Sequence, residues 1–248
     1  MGGFGGEDLV QQFFVDQIQD LTEVVGEEVK HMHVLRLKNG EEVYLSDGKK
    51  LVKGILEDLQ KTRAKFRVIC EVPSSEPPYE ITLFQGLPKA DKLDLIVQKA
   101  VELGVAKIVP VQTSRSIVKW DDTKALNKVN RLNRIAQEAA KQSHRVILPI
   151  VEMPVSWPVF LERWFKEEGL KLVFWEEGSS NLVQAFVETP KKVAVFIGPE
   201  GGLSKDEVDK LQVLTYTLGP RILRTETAGI VALAHLMFGL EMKGENYI

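Results

Sequence analysis

The 248 residues predict a small β domain followed by an α/β domain built on a parallel sheet. One observation is Pro73-Ser-Ser-Glu-Pro-Pro78, where prolines and serines stop regular structure and stiffen a connection. Another is the change of pattern across it, from short strand-like runs to strands alternating with helices. Strands spaced by helices of this length imply a parallel sheet covered on both faces.

The first ten residues, glycine-rich and acidic, read as disordered, and residues 11–72 form the first domain. Gln11 to Ile18 offers a short strand around Phe13-Phe14-Val15. Gly26 to Leu35 reads as a helix with Val29, Met32 and Leu35 on one face. Glu42 to Asp47 alternates and ends at Asp47-Gly48, a hairpin signal. Leu51 to Leu59 and Ala64 to Val72 complete this unit, in which nine Lys and Arg lie between Lys30 and Lys65.

Residues 73–78 are the linker and 79–248 the second domain. Ile81 to Gln85 is a strand, and Asp91 to Leu103 a helix closed by Gly104. Val105 to Val111 is a buried strand. Asp121 or Asp122 caps a long helix to Ser143, with Leu126, Val129, Leu132, Ile135 and Ala139 as its apolar stripe. Val146 to Val151 is a strand, Ser156-Trp-Pro begins a helix to Lys166, and Leu170 to Trp175 is again a strand. Asn181 to Val187 reads as helical, and Val193 to Ile197 as a strand.

Composition narrows the function. A hydrophobic fraction of 44% and a charged fraction of 27% are those of an ordinary globular protein. Cys70 is the single cysteine, which excludes an intrachain disulfide and fits a reducing compartment. No secretory signal is visible, and the longest apolar run, Gly229 to Leu240, is too short to span a bilayer. A cytoplasmic location is expected. The net charge of −3 hides a split: Gln112 to Arg145 carries eight Lys/Arg against three acids. Local clustering of this kind matters more than the average for meeting a polyanion. The four histidines are dispersed, and no Cys/His spacing suggests a metal site.

The chemistry concentrates between Phe196 and Ala228. Gly198-Pro-Glu-Gly-Gly202 follows one strand, and Ser204 with Glu207 forms a Ser-x-x-Glu capping box that starts a helix with free amides facing the loop. A second turn has the same form: a strand to Leu218, Gly219-Pro220, then Thr225 or Thr227 capping a helix to Leu240. Glycine turns at the carboxyl ends of parallel strands let backbone approach a ligand. Arg221, Arg224, Glu200 and Glu226 beside them make a site. The phosphate-loop and dinucleotide patterns both fail, because Leu203 stands where the former needs its second glycine. Neutral turn amides with nearby carboxylates suit an adenosine ligand whose reactive centre is cationic.

Ile-Gly-Pro-Glu-Gly-Gly-Leu-Ser-x-x-Glu followed by Leu-Gly-Pro-Arg-Ile-Leu-Arg-Thr-Glu-Thr-Ala closely resembles the RsmE family, the 16S ribosomal RNA uridine-N3 methyltransferases of the SPOUT superfamily. Val34-Leu-Arg-Leu37, Gln98 to Gly104, Ser114-Arg-Ser116 and Glu138 to Arg145 match as well. The chain departs from the family at Gln11-Gln12, where members often carry a basic residue. The resemblance implies an N-terminal PUA-like small β-barrel that binds RNA and a C-terminal SPOUT α/β domain whose chain threads a trefoil knot. It also implies S-adenosylmethionine as methyl donor, a homodimer, and small-subunit ribosomal RNA, within an assembled subunit, as substrate. Carried across, the cofactor pocket comprises Phe174, Trp175, Ile197, Gly198, Pro199, Glu200, Gly201, Gly202, Leu218, Gly219, Leu223, Arg224, Thr225, Glu226 and Thr227.

Methylating uracil N3 requires loss of an imide proton and in-line attack on a sulfonium methyl. Arg224 is the first candidate to steady the anion, and Glu226 to orient Arg224 or accept a proton. A simple Arg224–Glu226 pair across the turn is the structural alternative. The RNA track is assigned to Arg36, Arg115, Lys119, Arg131, Arg134, Gln142 and Arg145. A non-catalytic RNA-binding ribosome-assembly factor competes with this reading and predicts RNA binding without affinity for S-adenosylmethionine.

Overall fold

The computed structural model describes residues 10–118, 120–178, 180, 182 and 190–242. They form two compact units: residues up to Glu76 together with Ala140–Leu148, and Pro77–Ala139 together with Pro149 onward. The sequence reading placed 140–148 wholly in the second domain.

In the first unit, β1 (Gln12–Phe14), β2 (Leu21–Val25), β3 (Glu42–Ser46), β4 (Leu51–Leu59) and β5 (Arg63–Val72) form one sheet in the order β1-β3-β4-β5-β2. Only the β1–β3 pair is parallel. Gly48, at φ 78°, turns the β3–β4 hairpin at the expected place. Helix α1 (Glu27–Leu35) buries Val29 and Met32 on a core that includes Phe13, Leu45, Leu56 and Phe66, while Leu35 stays exposed. Strand β2 escaped the sequence reading because only Thr22 and Val24 point inward, too few for a readable alternation.

Segment 140–148 belongs to this unit through polar contacts. The Gln12 amide donates to the Arg145 carbonyl at 2.7 Å and the Ser46 hydroxyl to that of Val146 at 2.6 Å. The Glu76 carboxylate accepts from the Arg145 guanidinium and from the amides of Val146 and Ile147. These amides are therefore not in a strand, and the expected Val146–Val151 strand shrinks to two residues.

The second unit holds a seven-stranded, all-parallel sheet. Its strands are β6 (Glu80–Gly86), β7 (Lys107–Gln112), β8 (Ile150–Val151), β9 (Val155–Ser156), β10 (Leu170–Phe174), β11 (Lys192–Ile197) and β12 (Thr215–Tyr216). They run in the order β12-β10-β11-β6-β7-β8, with β9 also on β7. The helices are α2 (Lys92–Glu102), α3 (Asp122–Gln142), α4 (Trp157–Lys166), α5 (Lys205–Leu211) and α6 (Thr225–Glu241). The two central strands are buried on both faces, as the apolar runs at 81–85 and 193–197 require. An aromatic layer of Phe84, Phe160, Trp164 and Phe196 packs between α4 and the sheet, with ring centroids 4.5 to 6.4 Å apart. Trp164 is fully buried and its indole donates to the Leu211 carbonyl, a packing role.

Asp121 caps α3 through the Lys124 amide, and Gly104 ends α2 at φ 89°. The buried face of α3 is Ala125, Val129, Leu132, Ala136, Ala139 and Ala140; Leu126 is exposed. Alanines, not the larger Leu126 and Ile135, set the contact side, a choice that apolar counting alone does not resolve. Strand β12 stops at Tyr216 rather than Leu218, and α6 starts behind Arg224, with no side-chain cap from Thr225 or Thr227. The helix expected at 181–187 lies outside the described residues.

Candidate active site

The carboxyl ends of β10 and β11 open into a cavity of about 860 Å³, walled by both glycine turns and by the end of β10. Each wall is held by contacts that the local sequence sets up.

The first turn leaves β11 at Ile197. Its Gly198 carbonyl accepts from the Thr225 hydroxyl at 2.6 Å, and the buried Gln85 amide nitrogen lies 3.0 Å from that hydroxyl. The two turns are thus stitched at one carbonyl. Gly86, at the end of β6, makes this approach possible: a Cβ there would sit 2.5 Å from the Pro199 nitrogen. Gly202, at φ 68°, closes the turn with its amide on the Pro199 carbonyl. Arg115 reaches in from the loop after β7 and donates to the carbonyls of Gly201 and Leu203 at 3.1 and 3.3 Å.

The Ser204–Glu207 capping box forms as expected. The Ser204 and Glu207 amides are bonded within the box. Glu207 accepts from the Ser204 amide at 3.0 Å and from the Ser114 amide at 2.8 Å, so its carboxylate is spent bracing two loops. Backbone donors for a ligand come from elsewhere in the turns.

The second turn is Thr217 to Thr225, with Gly219 at φ 103° accepting from the Thr217 hydroxyl. Arg221, Arg224 and Ile222 are exposed, Ile222 to 90%. Among the described residues the Arg224 side chain has no hydrogen bond or ion pair. Glu226 does not pair with it. Its carboxylate lies 3.1 Å from the Lys92 ammonium, which also sits 3.1 Å from Glu200. Glu200 accepts from the Lys89 amide at 3.0 and 3.2 Å as well. Burial pushes the Glu200 carboxyl up, but its own amide, that of Lys89 and the Lys92 ammonium outweigh this and hold it below the ordinary range. Glu200 and Glu226 hold the Lys92 ammonium above the usual lysine value.

The third wall is Phe174, Trp175 and Glu176. The indole N–H of Trp175 is buried without a partner among the described residues, and Glu176 occupies the space that a Gly202 side chain would fill. Of the residues assigned to the pocket from sequence, all but Glu226 and Thr227 line the cavity; Thr227 is exposed on α6. Lys92, Glu176, Gly86, Gln85 and Ile222 were not assigned. Lys92 carried a readable signal, since a lysine in the first turn of a helix opposes the macrodipole and calls for an acidic partner.

The residues of the RNA track fare differently. Arg36, Arg134 and Gln142 are exposed. Arg131 is tied to Asp91 and Asp94 at 3.2 and 2.7 Å. Arg115 serves the first turn, and Arg145 is buried at 3% exposure against Glu76, which removes it from any phosphate surface. Lys119 lies outside the described residues. Among the described residues no group of three metal-ligating side chains occurs, and no helix is long and apolar enough to cross a membrane.

Comparison with known proteins places this architecture in a class. A profile described as "RNA methyltransferase domain" matches residues 75–237, and one described as "RNA methyltransferase PUA domain" matches 26–69. The chain is an RNA methyltransferase of α/β type joined to a PUA domain. It is 35% identical over 252 residues to the ribosomal RNA small subunit methyltransferase E of Bacillus subtilis, covering 94% of this chain and 98% of that one. The protein of that name from Mycobacterium bovis is 31% identical, with 89% and 88% covered. A crystal structure of the same enzyme from Neisseria gonorrhoeae bound to S-adenosyl methionine superposes with a TM-score of 0.81 at 30% identity, covering 92% and 97%. The chain belongs to the ribosomal RNA small subunit methyltransferase E family.

Proposed function

We propose that this enzyme transfers the methyl of S-adenosylmethionine to N3 of a uridine in small-subunit ribosomal RNA, in the cytoplasm. The observation that carries the reading is the stitched pair of glycine turns with the Arg224 guanidinium, unpaired among the described residues, at its rim. The residues present suit the cofactor. The cavity volume is in the small-molecule range, the buried indole N–H of Trp175 needs an acceptor, and Glu176 and Glu200 offer carboxylates to hydroxyls and to a cation. Phe174, Trp175, Ile197 to Gly202 and Leu218 to Thr225 would hold it. Bound, the cofactor supplies an electrophilic methyl on a sulfonium.

The chain's own residues must then position the uracil ring and favour loss of its N3 proton. Arg224 places positive charge where the anion would develop, which lowers the barrier without a strong base. Glu226 is held by Lys92 and so does not orient Arg224. The RNA-facing groups are Arg36, Arg134 and Gln142, with Arg131 available if its ion pairs exchange for phosphate. A homodimer is supported by the end of α6, where Phe238 and the C-capping Met242 are each 60% exposed. The assembled small subunit is the substrate form to test first.

Calorimetry with S-adenosylmethionine, followed by a labelled-methyl assay on small ribosomal subunits and mapping of the product base, tests the reading. RNA binding without cofactor affinity would overturn it in favour of a non-catalytic role. Arg224→Ala should abolish transfer while leaving the melting temperature near wild type; wild-type turnover would remove Arg224 from the mechanism.

A further inference from the structure

One side chain touches both glycine turns. Lys92, in the first turn of α2, pairs with Glu200 of the first turn and Glu226 at the head of α6, each at 3.1 Å. The two carboxylates depend on it unequally. Glu200 keeps the Lys89 amide on both oxygens. Glu226 has a side chain only 14% exposed, and its buried Oε2 has no hydrogen-bond partner among the described residues. The Lys92 ammonium is what compensates that charge.

We infer that Lys92 is a positioning residue for methyl transfer: it ties Glu200 of the first turn to Glu226 at the head of α6, two residues from Arg224. The inference rests on the proposed reading of the cavity as the methyl-donor site. A largely buried carboxylate that loses its counter-ion turns toward water or another donor. The start of α6 then shifts, and with it the backbone that carries Arg224. Lys92 touches no reacting atom in this scheme and acts through Glu226.

The test uses the full chain with Lys92→Met, Lys92→Arg, Glu226→Gln and the Lys92→Met/Glu226→Gln double variant. Cofactor affinity is read by calorimetry, and single-turnover methyl transfer and subunit KM are measured over a range of salt. Lys92→Met should slow transfer roughly 10- to 100-fold, the scale of a small misplacement of reacting groups. The subunit KM and its salt slope should stay at wild-type values. Lys92→Arg should recover most of the rate, because a guanidinium can serve both carboxylates. The double variant should be no slower than Glu226→Gln, since a neutral amide needs no counter-ion. It also decides the matter if Lys92→Met alone does not fold.

An unchanged rate in Lys92→Met overturns the inference, as does full additivity of the two substitutions. A raised subunit KM with a shallower salt slope overturns it too, making Lys92 a phosphate contact. These failures presuppose a wild-type protein that binds S-adenosylmethionine and transfers methyl. If the wild type does neither, it is the functional reading that falls.

Discussion

Gly86 shows how a single residue decides the site. It is not at a left-handed φ, so its value is space: a Cβ would meet the Pro199 nitrogen and Cδ at 2.5 Å and the Gly198 carbonyl carbon at 2.8 Å. Backbone cannot swing away as a flexible side chain can. Gly86→Ala should therefore displace the first turn, costing about 1–3 kcal/mol as overpacking does and weakening cofactor binding at least roughly tenfold. Differential scanning and cofactor calorimetry on the purified variant check both; wild-type affinity would show that the turn relaxes freely. Glu200 acts at the same scale. Its folded pKa lies below the ordinary 4.5, so its contribution is full above that value and is lost as pH falls through the folded pKa. Above pH 5 the first turn should show no pH dependence from this group.

Among the elements, segment 140–148 is the most instructive. Its carbonyls satisfy Gln12 and Ser46, which are 3% and 0% exposed, so the small sheet's own buried polar groups need it. His144 lies in this segment at φ 53°, with Nδ1 3.3 Å from Gln12 Oε1 and its ring edge-on to Tyr44. Burial pushes its pKa below 6.5. The neutral form is favoured when folded, while the unfolded chain gains a proton below that value. Stability of the first unit should thus be complete above pH 6.5 and decline as pH falls toward the folded pKa. Denaturant melts between pH 7.5 and 5 should show this slope, and His144→Gln should flatten it. An identical slope in that variant would assign it to other groups.

At the scale of the molecule, α6 runs from the pocket to an exposed apolar end. Thr225, buried, begins the helix beneath Gly198, and thirteen residues on, Phe238 emerges to solvent. In the proposed dimer a charge at that position would be desolvated without a partner. Phe238→Asp should therefore yield monomers in sedimentation and lose methyl transfer, while the folded monomer remains. A variant that stays dimeric would place the interface elsewhere.

Much of the architecture was readable in the chain. Apolar runs at 81–85, 105–111, 170–175 and 193–197 separated by amphipathic helices specify a parallel sheet, because only strands covered on both faces tolerate such runs. The two glycine turns were also legible, since glycine and proline act locally on backbone conformation. The partners were not. That Arg115 holds turn carbonyls and that Arg145 is buried against the Glu76 carboxylate depends on loops 86 and 69 residues away in sequence. Lys92 joins carboxylates from two separate turns, and 140–148 leaves its own helix to complete another sheet. Periodicity reports the environment of a residue along one element, whereas an ion pair or a stitched carbonyl is set by which chain segments the folded topology brings together.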